Sequence, residues 1–453
     1  MSPRLLIASL SVASATALTV ATGAISPAFA APCTGAAAGI HPPAASNTGE
    51  TPDLPGDGRP RGQRPTGTND GAPLPSLGQI PGASSYGQVE QRAAVVTDPG
   101  RPVPDANPVA PPAPPPPPSA PGTSLVGWVT GPESPNDTVN RFAITGTDLG
   151  IMWDNGSGEV LMAFGDTYGY CGVRGQQWRY NVLFRSRDGA LSKTVSASSS
   201  PLWTQGLSKQ IINSIKFSPT EKGIIPTAGI AVGGTQYINF MSIKNWDSDG
   251  RWTTNFSAIA VSPDNGERWG VYPDSVRPAA PNSTERVQYV RGNENFQQGA
   301  FLKPGPGDPY IYSFGTPSGR GGAAYISRVL PAGVPDLRRY EYWSSQSNSW
   351  VPGNPGAATP VIPGPVSEMS AQYNTYLNQY LVLYGNGAND MVMRTAPAPQ
   401  GPWSPERLLV PSMQFPGGIY APFLHPWSTG KELYYNVSLW SAYNVMLMKT
   451  VLP

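Results

Sequence analysis

The chain has 453 residues, of which 13% are charged and 10% are aromatic, and its 30 basic and 29 acidic residues leave a formal net charge of +1. A protein this close to neutrality lacks the electrostatic field that attracts nucleic acid or an anionic membrane surface, so we expect neither partner. A surface with few charges and many aromatic residues favours neutral, hydroxyl-rich ligands, because aromatic rings stack on the faces of sugars.

Residues 1–30 predict a secretory signal peptide. Arg4 supplies a basic start, residues 5–20 an apolar run, and residues 28–30 a small-residue cleavage site. The alternative is a retained membrane anchor, but the run is short and rich in Ala, Ser and Thr. We therefore expect an exported protein, either secreted or associated with the cell envelope.

Residues 31–122 are rich in Pro, Gly, Ala and polar residues and have little hydrophobic periodicity. Residues 101–122 contain 11 prolines, five of them consecutive at 114–118. Such a composition cannot build a core and predicts a disordered or polyproline II spacer. We expect this spacer to hold a folded domain, residues 123–453, away from a membrane or wall.

Cys33 and Cys171 are the only cysteines of the chain. In an exported protein two cysteines can form one disulfide, which here would tie the N-terminal segment to the loop after Asp166. The alternatives are two free thiols, or one thiol for each of two partners. With only two cysteines and two histidines, neither a metal site nor a cofactor is expected.

From residue 123 onward, short β-rich runs alternate with Gly, Pro, Asn and Asp, as is typical of an all-β domain. One unit occurs five times: an apolar strand, a tight turn, a second strand that ends in a small polar loop, and a third strand. The units span residues 150–189, 228–266, 299–329, 370–396 and 421–451. Five such units predict a five-bladed β-propeller, with two packed sheets in a sandwich as the alternative.

Residues 124–130 are expected to supply the fourth strand of the last unit and so to close the ring. In a propeller, the starts of the first strands and the loops between second and third strands share one face. That face is expected to hold Asp148, Asp166, Trp246, Glu294, Arg320, Glu368, Asp390 and Tyr420. Near the opposite face, residues 262–269 match the Asp-box S-x-D-x-G-x-x-W, a structural turn motif of sialidase-like propellers.

The stretch TGTDLGIMWDNGSGEVLMAFGDT, residues 145–167, predicts a hairpin with strands at 151–153 and 160–164. Asp148 opens the first strand and Asp166 closes the second, so both carboxylates are expected at the same edge of one sheet. Two converging carboxylates can supply the acid and the base of glycosidic bond cleavage. The alternative is structural: Asp166 caps a turn and Asp148 bonds backbone amides.

The GTDLG motif of residues 146–150, followed by an apolar hairpin and FGDT at 164–167, resembles domain-of-unknown-function family 4185. Members of that group are endo-D-arabinanases, glycoside hydrolase family 183. The resemblance implies a five-bladed propeller that cuts α-D-arabinofuranosyl linkages in mycobacterial arabinogalactan and lipoarabinomannan. It also implies that Asp148 and Asp166 are catalytic, because two aspartates of the family match these positions.

Asp148 lies at the innermost strand, nearest the propeller axis, and is therefore expected to be the base or nucleophile. Asp166 lies on a loop and is expected to be the acid. The remaining candidates each have a structural alternative, either packing or a solvated rim charge, and for Glu294 and Glu368 the rim charge is favoured. Sugar stacking is assigned to Tyr168, Trp178 and Trp246, hydroxyl binding to Asn181 and Arg320, and a third carboxylate to Glu294 or Glu368. His425 is expected to be a hydrogen-bonded structural residue.

Two other functions compete with the arabinanase hypothesis. The Asp-box suggests a sialidase, but the loops of the central face offer Arg320 without an evident arginine cluster for a substrate carboxylate. The Pro-rich spacer fits a non-catalytic wall-binding propeller equally well. The presence of both Asp148 and Asp166 argues against that binding module.

Overall fold

The computed structural model describes residues 122–247, 251–415 and 417–453. The predicted signal peptide, and all but the last residue of the predicted spacer, lie outside the described residues, so both stay predictions. The described chain folds into the strands β1 (Thr123–Trp128), β2 (Leu149–Asp154), β3 (Val160–Phe164), β4 (Val182–Ser186), β5 (Leu202–Thr204), β6 (Leu207–Ser208), β7 (Gly223–Val232), β8 (Thr235–Trp246), β9 (Trp252–Ser262), β10 (Gly270–Pro278), β11 (Gln298–Leu302), β12 (Ile311–Thr316), β13 (Tyr325–Val329), β14 (Glu341–Ser344), β15 (Ser349–Pro352), β16 (Met369–Asn374), β17 (Gln379–Gly385), β18 (Met391–Ala396), β19 (Arg407–Val410), β20 (Ile419–Leu424), β21 (Glu432–Leu439) and β22 (Asn444–Val451).

Helical structure in the described residues is limited to short segments. One five-residue α-helix, α1 (Thr138–Phe142), precedes β2. The 3-10 turns are Arg174–Gln177, Asn293–Phe296, Pro331–Gly333, Leu337–Arg339, Pro355–Ala357 and Ser412–Gln414. None of these helices has the length and apolarity needed to cross a membrane.

Five antiparallel sheets form the blades of a β-propeller, as predicted. In chain order they are β2-β3-β4, β7-β8-β9-β10, the five-stranded β11-β12-β13-β14-β15, β16-β17-β18-β19 and β20-β21-β22-β1. Their first strands contact one another around a ring, in the order β2, β7, β11, β16, β20 and back to β2. These five are therefore the inner strands that surround the axis.

The ring closes where the two ends of the described chain meet, in agreement with the prediction for residues 124–130. Strand β1 pairs with β22 in antiparallel register, from Thr123 opposite Thr450 to Trp128 opposite Met446. The hydroxyl groups of Thr123 and Thr450 lie 2.8 Å apart and form a buried hydrogen bond. The fifth blade thus combines the last three strands with the first one.

Apolar side chains from neighbouring blades form the core. Along β21, Leu433, Tyr435 and Val437 alternate into the cluster that joins the fourth and fifth blades, as expected for strands with a period of two. On β3, Val160, Met162 and Phe164 pack with β4 and α1, whereas Leu161 and Ala163 face the second blade. Both faces of these strands are buried, so the runs in sequence are continuously apolar rather than alternating.

The Asp-box forms the structural turn that its motif predicts. Asp264 Oδ1 accepts hydrogen bonds from the Ser262 hydroxyl at 2.9 Å and the Arg268 amide at 2.8 Å. The buried Trp269 indole donates to the Gly266 carbonyl at 3.0 Å. The neighbouring Asn265 side chain accepts a bond from Asn155, in the turn after β2, at 2.7 Å. Since β2 begins directly after Asp148 and ends beside this turn, the Asp-box lies at the opposite end of the propeller from the aspartate pair.

Candidate active site

Asp148 and Asp166 converge where the β2–β3 hairpin continues beyond its last ladder pair. The Gly165 amide donates to the Asp148 carbonyl at 3.2 Å. The hydroxyl groups of Thr147 and Thr167, each adjacent to one aspartate, form a buried hydrogen bond of 2.7 Å. Asp166 is 5% exposed, and its charge acts on Asp148 strongly enough to raise the pKa of that carboxyl, after burial. The structure therefore brings the two predicted carboxylates together.

A bulge at the start of β2 aims Asp148 at this face. Leu149 and Gly150 both adopt left-handed backbone conformations, with φ of 71° and 72°, and the register of the ladder shifts beside them. Two side chains of β21 hold the bulge: Ser438 accepts the Leu149 amide at 2.9 Å, and the Asn436 amide donates to the Gly150 carbonyl at 2.8 Å. Glycine suits position 150 because a Cβ there would overlap Asn436.

Gly165 of the FGDT motif has a separate role. A Cβ atom built on it would overlap the Oδ1 atom of Asp148. Glycine is therefore required for this close approach of the backbone to the carboxyl group. The FGDT motif both supplies Asp166 and leaves room for the side chain of Asp148.

The environment of Asp148 disfavours a negative charge. Its side chain is partly exposed at the face, but Oδ1 is covered and has no hydrogen-bond partner within the described residues. Oδ2 accepts one bond, from the Tyr420 hydroxyl at 2.9 Å. Burial, followed by the charges of Asp166 and Glu368, raises the pKa of Asp148 to about 8, against the opposing effects of Tyr420 and Arg320.

Glu368 forms a two-point ion pair with Arg320. The guanidinium Nη2 lies 2.6 Å from Oε1 and Nε lies 3.3 Å from Oε2. Glu368 is only 6% exposed, so the expectation that it is a solvated rim charge is wrong. Burial alone would raise the pKa of Glu368, but the charge and hydrogen bonds of Arg320 outweigh it and hold the pKa below its usual value.

Aromatic rings enclose the Arg320 guanidinium. Its Cζ atom lies 5.2 Å from the ring centroids of both Trp252 and Tyr420 and 5.6 Å from that of Trp440, distances at which a cation attracts a ring face. Trp246 continues this wall outward, edge-on to Trp252 at 6.4 Å, and it is 38% exposed. The indole rings of Trp246, Trp252 and Trp440 thus form an aromatic surface between solvent and the carboxyl groups.

Two tyrosines, Tyr168 and Tyr443, border the carboxyl groups. The rings of Tyr168 and Tyr443 meet edge to face, 5.7 Å apart, and the Tyr443 carbonyl accepts the Thr147 amide at 2.7 Å. Burial, followed by the charges of Asp148 and Asp166, raises the pKa of Tyr443 well above its usual value. Tyr443 is therefore a neutral wall of the site.

Three other predicted residues are held by bonds to or packing on neighbouring segments of the chain. The buried Asn181 side chain donates hydrogen bonds to the Ile212 and Ile224 carbonyls at 3.1 and 2.9 Å and accepts hydrogen bonds from two backbone amides. Its amide group is therefore engaged in structural hydrogen bonds to the backbone. Glu294 accepts the Tyr289 hydroxyl at 2.9 Å and the Gly292 amide at 2.8 Å. Trp178 packs edge to face on Tyr180, with centroids 4.5 Å apart.

His425 is fully buried. Burial lowers its pKa to about 4, so the ring is neutral at physiological pH. It accepts the Trp427 amide at 3.4 Å, which agrees with the expected structural role.

The predicted disulfide involves one described cysteine. Cys171 is disulfide-bonded and follows Asp166 by five residues. Cys33 lies outside the described residues, so the pairing of the two stays a prediction.

Sequence reasoning missed several residues of the site. The sequence places Tyr420 on the correct face but indicates no role for it, and no motif marks Trp440 or Tyr443. A further carboxylate, Glu221, precedes the inner strand β7 and accepts the Ser242 hydroxyl at 2.7 Å; burial raises its pKa. The signal that identifies Glu221 is its position just before an inner strand, as for Asp148 and Glu368.

A cavity of about 280 Å³ runs along the axis between the inner strands, towards the end opposite Asp148. Asp154, Lys303 and Thr429 line it, and the aspartate pair does not. Within residues 122–247, 251–415 and 417–453, no group of three or more His, Cys, Asp or Glu side chains is arranged to hold a metal ion.

The sequence model of the family described as "Domain of unknown function (DUF4185)" matches residues 133–449. The chain belongs to the DUF4185 family. The matched region includes every residue of the site described above. A related protein is Notoamide biosynthesis cluster protein J of Aspergillus sp. (strain MF297-2), which is 26% identical over 323 residues, 67% of this chain and 81% of that protein.

Solved structures with a similar fold are more distant in sequence. An exo-β-1,3-galactanase of Phanerochaete chrysosporium has a TM-score of 0.42 and 9% identity, over 72% of this chain and 64% of that chain. The catalytic domain of a GH62 α-L-arabinofuranosidase of Coprinopsis cinerea has a TM-score of 0.41 and 12% identity, over 72% and 96%. At this level of similarity neither structure carries an inference about chemistry.

Proposed function

We propose that this DUF4185 protein is a secreted glycoside hydrolase that cleaves internal α-D-arabinofuranosyl linkages of cell-wall arabinan. The observation that carries the proposal is the convergence of Asp148 and Asp166 at the centre of one propeller face, where the charge of one raises the pKa of the other. Cleavage of a glycosidic bond needs two such carboxyl groups in different protonation states.

The surroundings of the pair support a neutral polysaccharide as the substrate. Arg320, whose charge acts on Asp148, is held by Glu368 in a two-point ion pair, so the site carries little net positive charge for an acidic sugar. This argues against a sialidase, which needs arginines directed at a substrate carboxylate. The exposed Trp246 offers a flat apolar surface of the kind on which sugar rings stack.

The finer choice of D-arabinan rests on the resemblance of the GTDLG and FGDT motifs to glycoside hydrolase family 183. Export to the cell envelope rests on the signal-like residues 1–30. Both motifs contain structural requirements that are specific to this site: Gly150 accommodates Asn436, and Gly165 accommodates the carboxyl group of Asp148.

Incubation of the full chain with purified arabinogalactan tests the proposal, with arabino-oligosaccharides detected by mass spectrometry. Internal cleavage gives a ladder of fragments and a rapid fall in polymer size, whereas cleavage from the chain ends gives one small product. Galactan and xylan serve as matched polymers, and we expect no products from them.

Asp148→Asn and Asp166→Asn should each abolish product formation while circular dichroism and melting temperature report a folded chain. Asp264→Asn, in the Asp-box at the opposite end, is the control for loss of a partly buried, hydrogen-bonded aspartate; any loss of activity there should follow loss of folding. If the polymer binds to the wild-type protein but no product forms, the hydrolase proposal fails and a wall-binding propeller is the better description.

A further inference from the structure

The axial cavity of about 280 Å³ is a concave site that the aspartate pair does not use. We propose that this cavity, together with the exposed Trp427 beside it, binds a neutral sugar unit, so that the protein holds a polysaccharide at two places. The presence of a sugar site is independent of the proposed function. Only the identity of that sugar with the substrate of the aspartate pair rests on it.

Trp427 lies at the rim of the cavity. It belongs to the turn between β20 and β21, in which Pro426 and Thr429 both line the cavity. Its indole N–H donates to Oδ2 of Asp154, another lining residue, at 2.8 Å, and its ring meets the buried His425 ring at 5.6 Å. The indole is thus fixed in place while it remains 37% exposed. A fixed, exposed aromatic ring offers an apolar face to a sugar with little further ordering.

The charges at the cavity favour a neutral ligand. Asp154 and Lys303 are the only charged side chains among the described residues that line it, and their charges cancel. Asp154 Oδ1 accepts the Gly156 amide at 2.7 Å and Oδ2 accepts Trp427, which leaves each oxygen a further lone pair. The exposed Lys303 ammonium supplies donors. Hydroxyl groups can use both kinds of partner.

A buried acceptor beside the cavity points to a ligand with hydrogen-bond donors. Gln372 lines the cavity and is 8% exposed. Its Nε2 donates to the Ser428 carbonyl at 3.0 Å, whereas its Oε1 has no partner within the described residues. A buried acceptor without a donor costs free energy, which a hydroxyl group in the cavity would recover.

Size and lining agree with one sugar unit. The volume lies near the lower end of the range of small-molecule sites, about 300 Å³. Apolar side chains such as Ile151, Phe301 and Met369 line the cavity beside the polar groups, a combination that is typical of small-ligand sites. The apolar lining would also accept an alkyl chain. The polar groups and the indole at the rim favour the sugar.

The two sites are too far apart for one sugar unit to reach both. Strand β2, which begins directly after Asp148 and ends at Asp154, has six residues, a length of about 20 Å at about 3.3 Å per residue. A polysaccharide can contact both ends of the propeller, whereas a short oligosaccharide cannot. The second site should therefore raise the affinity for long chains only.

NMR of the full chain with ¹⁵N-labelled tryptophan tests the location and the ligand class. Trp427→Phe and Trp246→Phe assign the indole resonances of the only two exposed tryptophans among the described residues, one at each end of the propeller. The probes are D-arabinose, D-galactose and octanoate. We expect a saturable shift of the Trp427 resonance at millimolar concentration of a sugar. A shift with octanoate alone, or with none of the probes, overturns the inference.

Ala371→Phe tests the cavity itself, since Ala371 is half-buried and lines it. The variant should weaken the sugar titration of Trp427 about 10-fold, with a melting curve to show that the chain is folded. An unchanged titration in the folded variant overturns the inference. Trp246→Ala is the matched control, because it removes the other exposed indole, and it should leave the titration of Trp427 unchanged.

Trp427→Ala changes only an exposed ring and keeps the inference testable if Ala371→Phe does not fold. Its KM for long arabinan should rise about 10-fold, with kcat and the KM for a short arabino-oligosaccharide unchanged. An equal rise for both substrates, or no rise for either, contradicts a second site. If sugars titrate Trp427 but arabinan is not cleaved, the proposed function fails and this site stands. If arabinan is cleaved but no sugar titrates Trp427, the site fails and the proposed function stands.

Discussion

Asp148→Asn is expected to stabilise the propeller at pH 8 and to leave its stability at pH 4 nearly unchanged. The pKa of Asp148 is raised from 3.8 to about 8 by folding, so the stability of the wild-type protein is complete below about pH 4 and declines as pH rises towards 8. Asparagine has nearly the same shape, never ionises and can still accept the Tyr420 hydroxyl bond. The variant therefore escapes this decline.

The magnitude follows from the two pKa values. A difference of about 4 between 8 and 3.8, at about 1.4 kcal/mol each, gives an upper limit of about 6 kcal/mol. Asp148 is partly exposed, and solvent reduces the penalty, so we expect a gain of about 2 kcal/mol at pH 8. For a domain of this size, that corresponds to an increase of roughly 4 °C in melting temperature.

Melting curves of wild type and variant between pH 4 and pH 9, followed by near-ultraviolet circular dichroism, measure this difference. The exposed Glu133 provides the control, since Glu133→Gln removes a carboxylate from the surface and should give a flat difference across the range. A gain of equal size at pH 4 and pH 8, or no gain at either, would refute the reasoning. In that case the environment of Asp148 does not penalise its charge.

Three further substitutions separate the roles of other residues. Gly165→Ala should reduce kcat about 100-fold with little change in melting temperature, because the new methyl group displaces the Asp148 carboxyl group by roughly 1 Å; steady-state kinetics and a melting curve check it. Trp246→Ala should raise KM for long arabinan about 10-fold and leave kcat unchanged, since a stacking platform binds ground state and transition state alike; an unchanged KM removes Trp246 from the substrate path. Asn181→Ala should lower the free energy of unfolding by about 3 kcal/mol, because backbone groups of residues 211, 212 and 224 lose their buried partner; denaturant titration measures it, and a change in KM without loss of stability would restore Asn181 as a ligand residue.

The sequence predicts those parts of the site that depend on local strand pairing. Asp148 and Asp166 are 18 residues apart and belong to one hairpin, so the period of two and the turn signal suffice to place them at one edge. The same logic, repeated in five units, gives the blades and the order of their faces. It also identifies the Asp-box, because that motif is completed within eight residues.

Local strand pairing does not predict the contacts between blades. Tyr420 is 272 residues from Asp148, and the Arg320–Glu368 pair joins the third and fourth blades. Glu368 looks like a surface charge in SEMSAQ, since the arginine that pairs with it belongs to another blade. The role of Asn181 is not predicted from the sequence for the same reason. A polar residue beside a loop resembles a ligand-binding group, but its side chain is hydrogen-bonded to backbone groups about 30 residues away in the chain.

Ring closure and site assembly turn out to depend on the same blade. Strand β1 completes the fifth blade as its fourth strand, and this blade supplies Tyr420 to the carboxyl group of Asp148. It also supplies Ser438 and Asn436 to the bulge that aims Asp148, and the Tyr443 carbonyl to the amide of Thr147. Asp148 thus owes its position to contacts across the junction between the last blade and the first. An open chain with intact hairpins would keep both aspartates but lose the tyrosine and the bulge that define their chemistry.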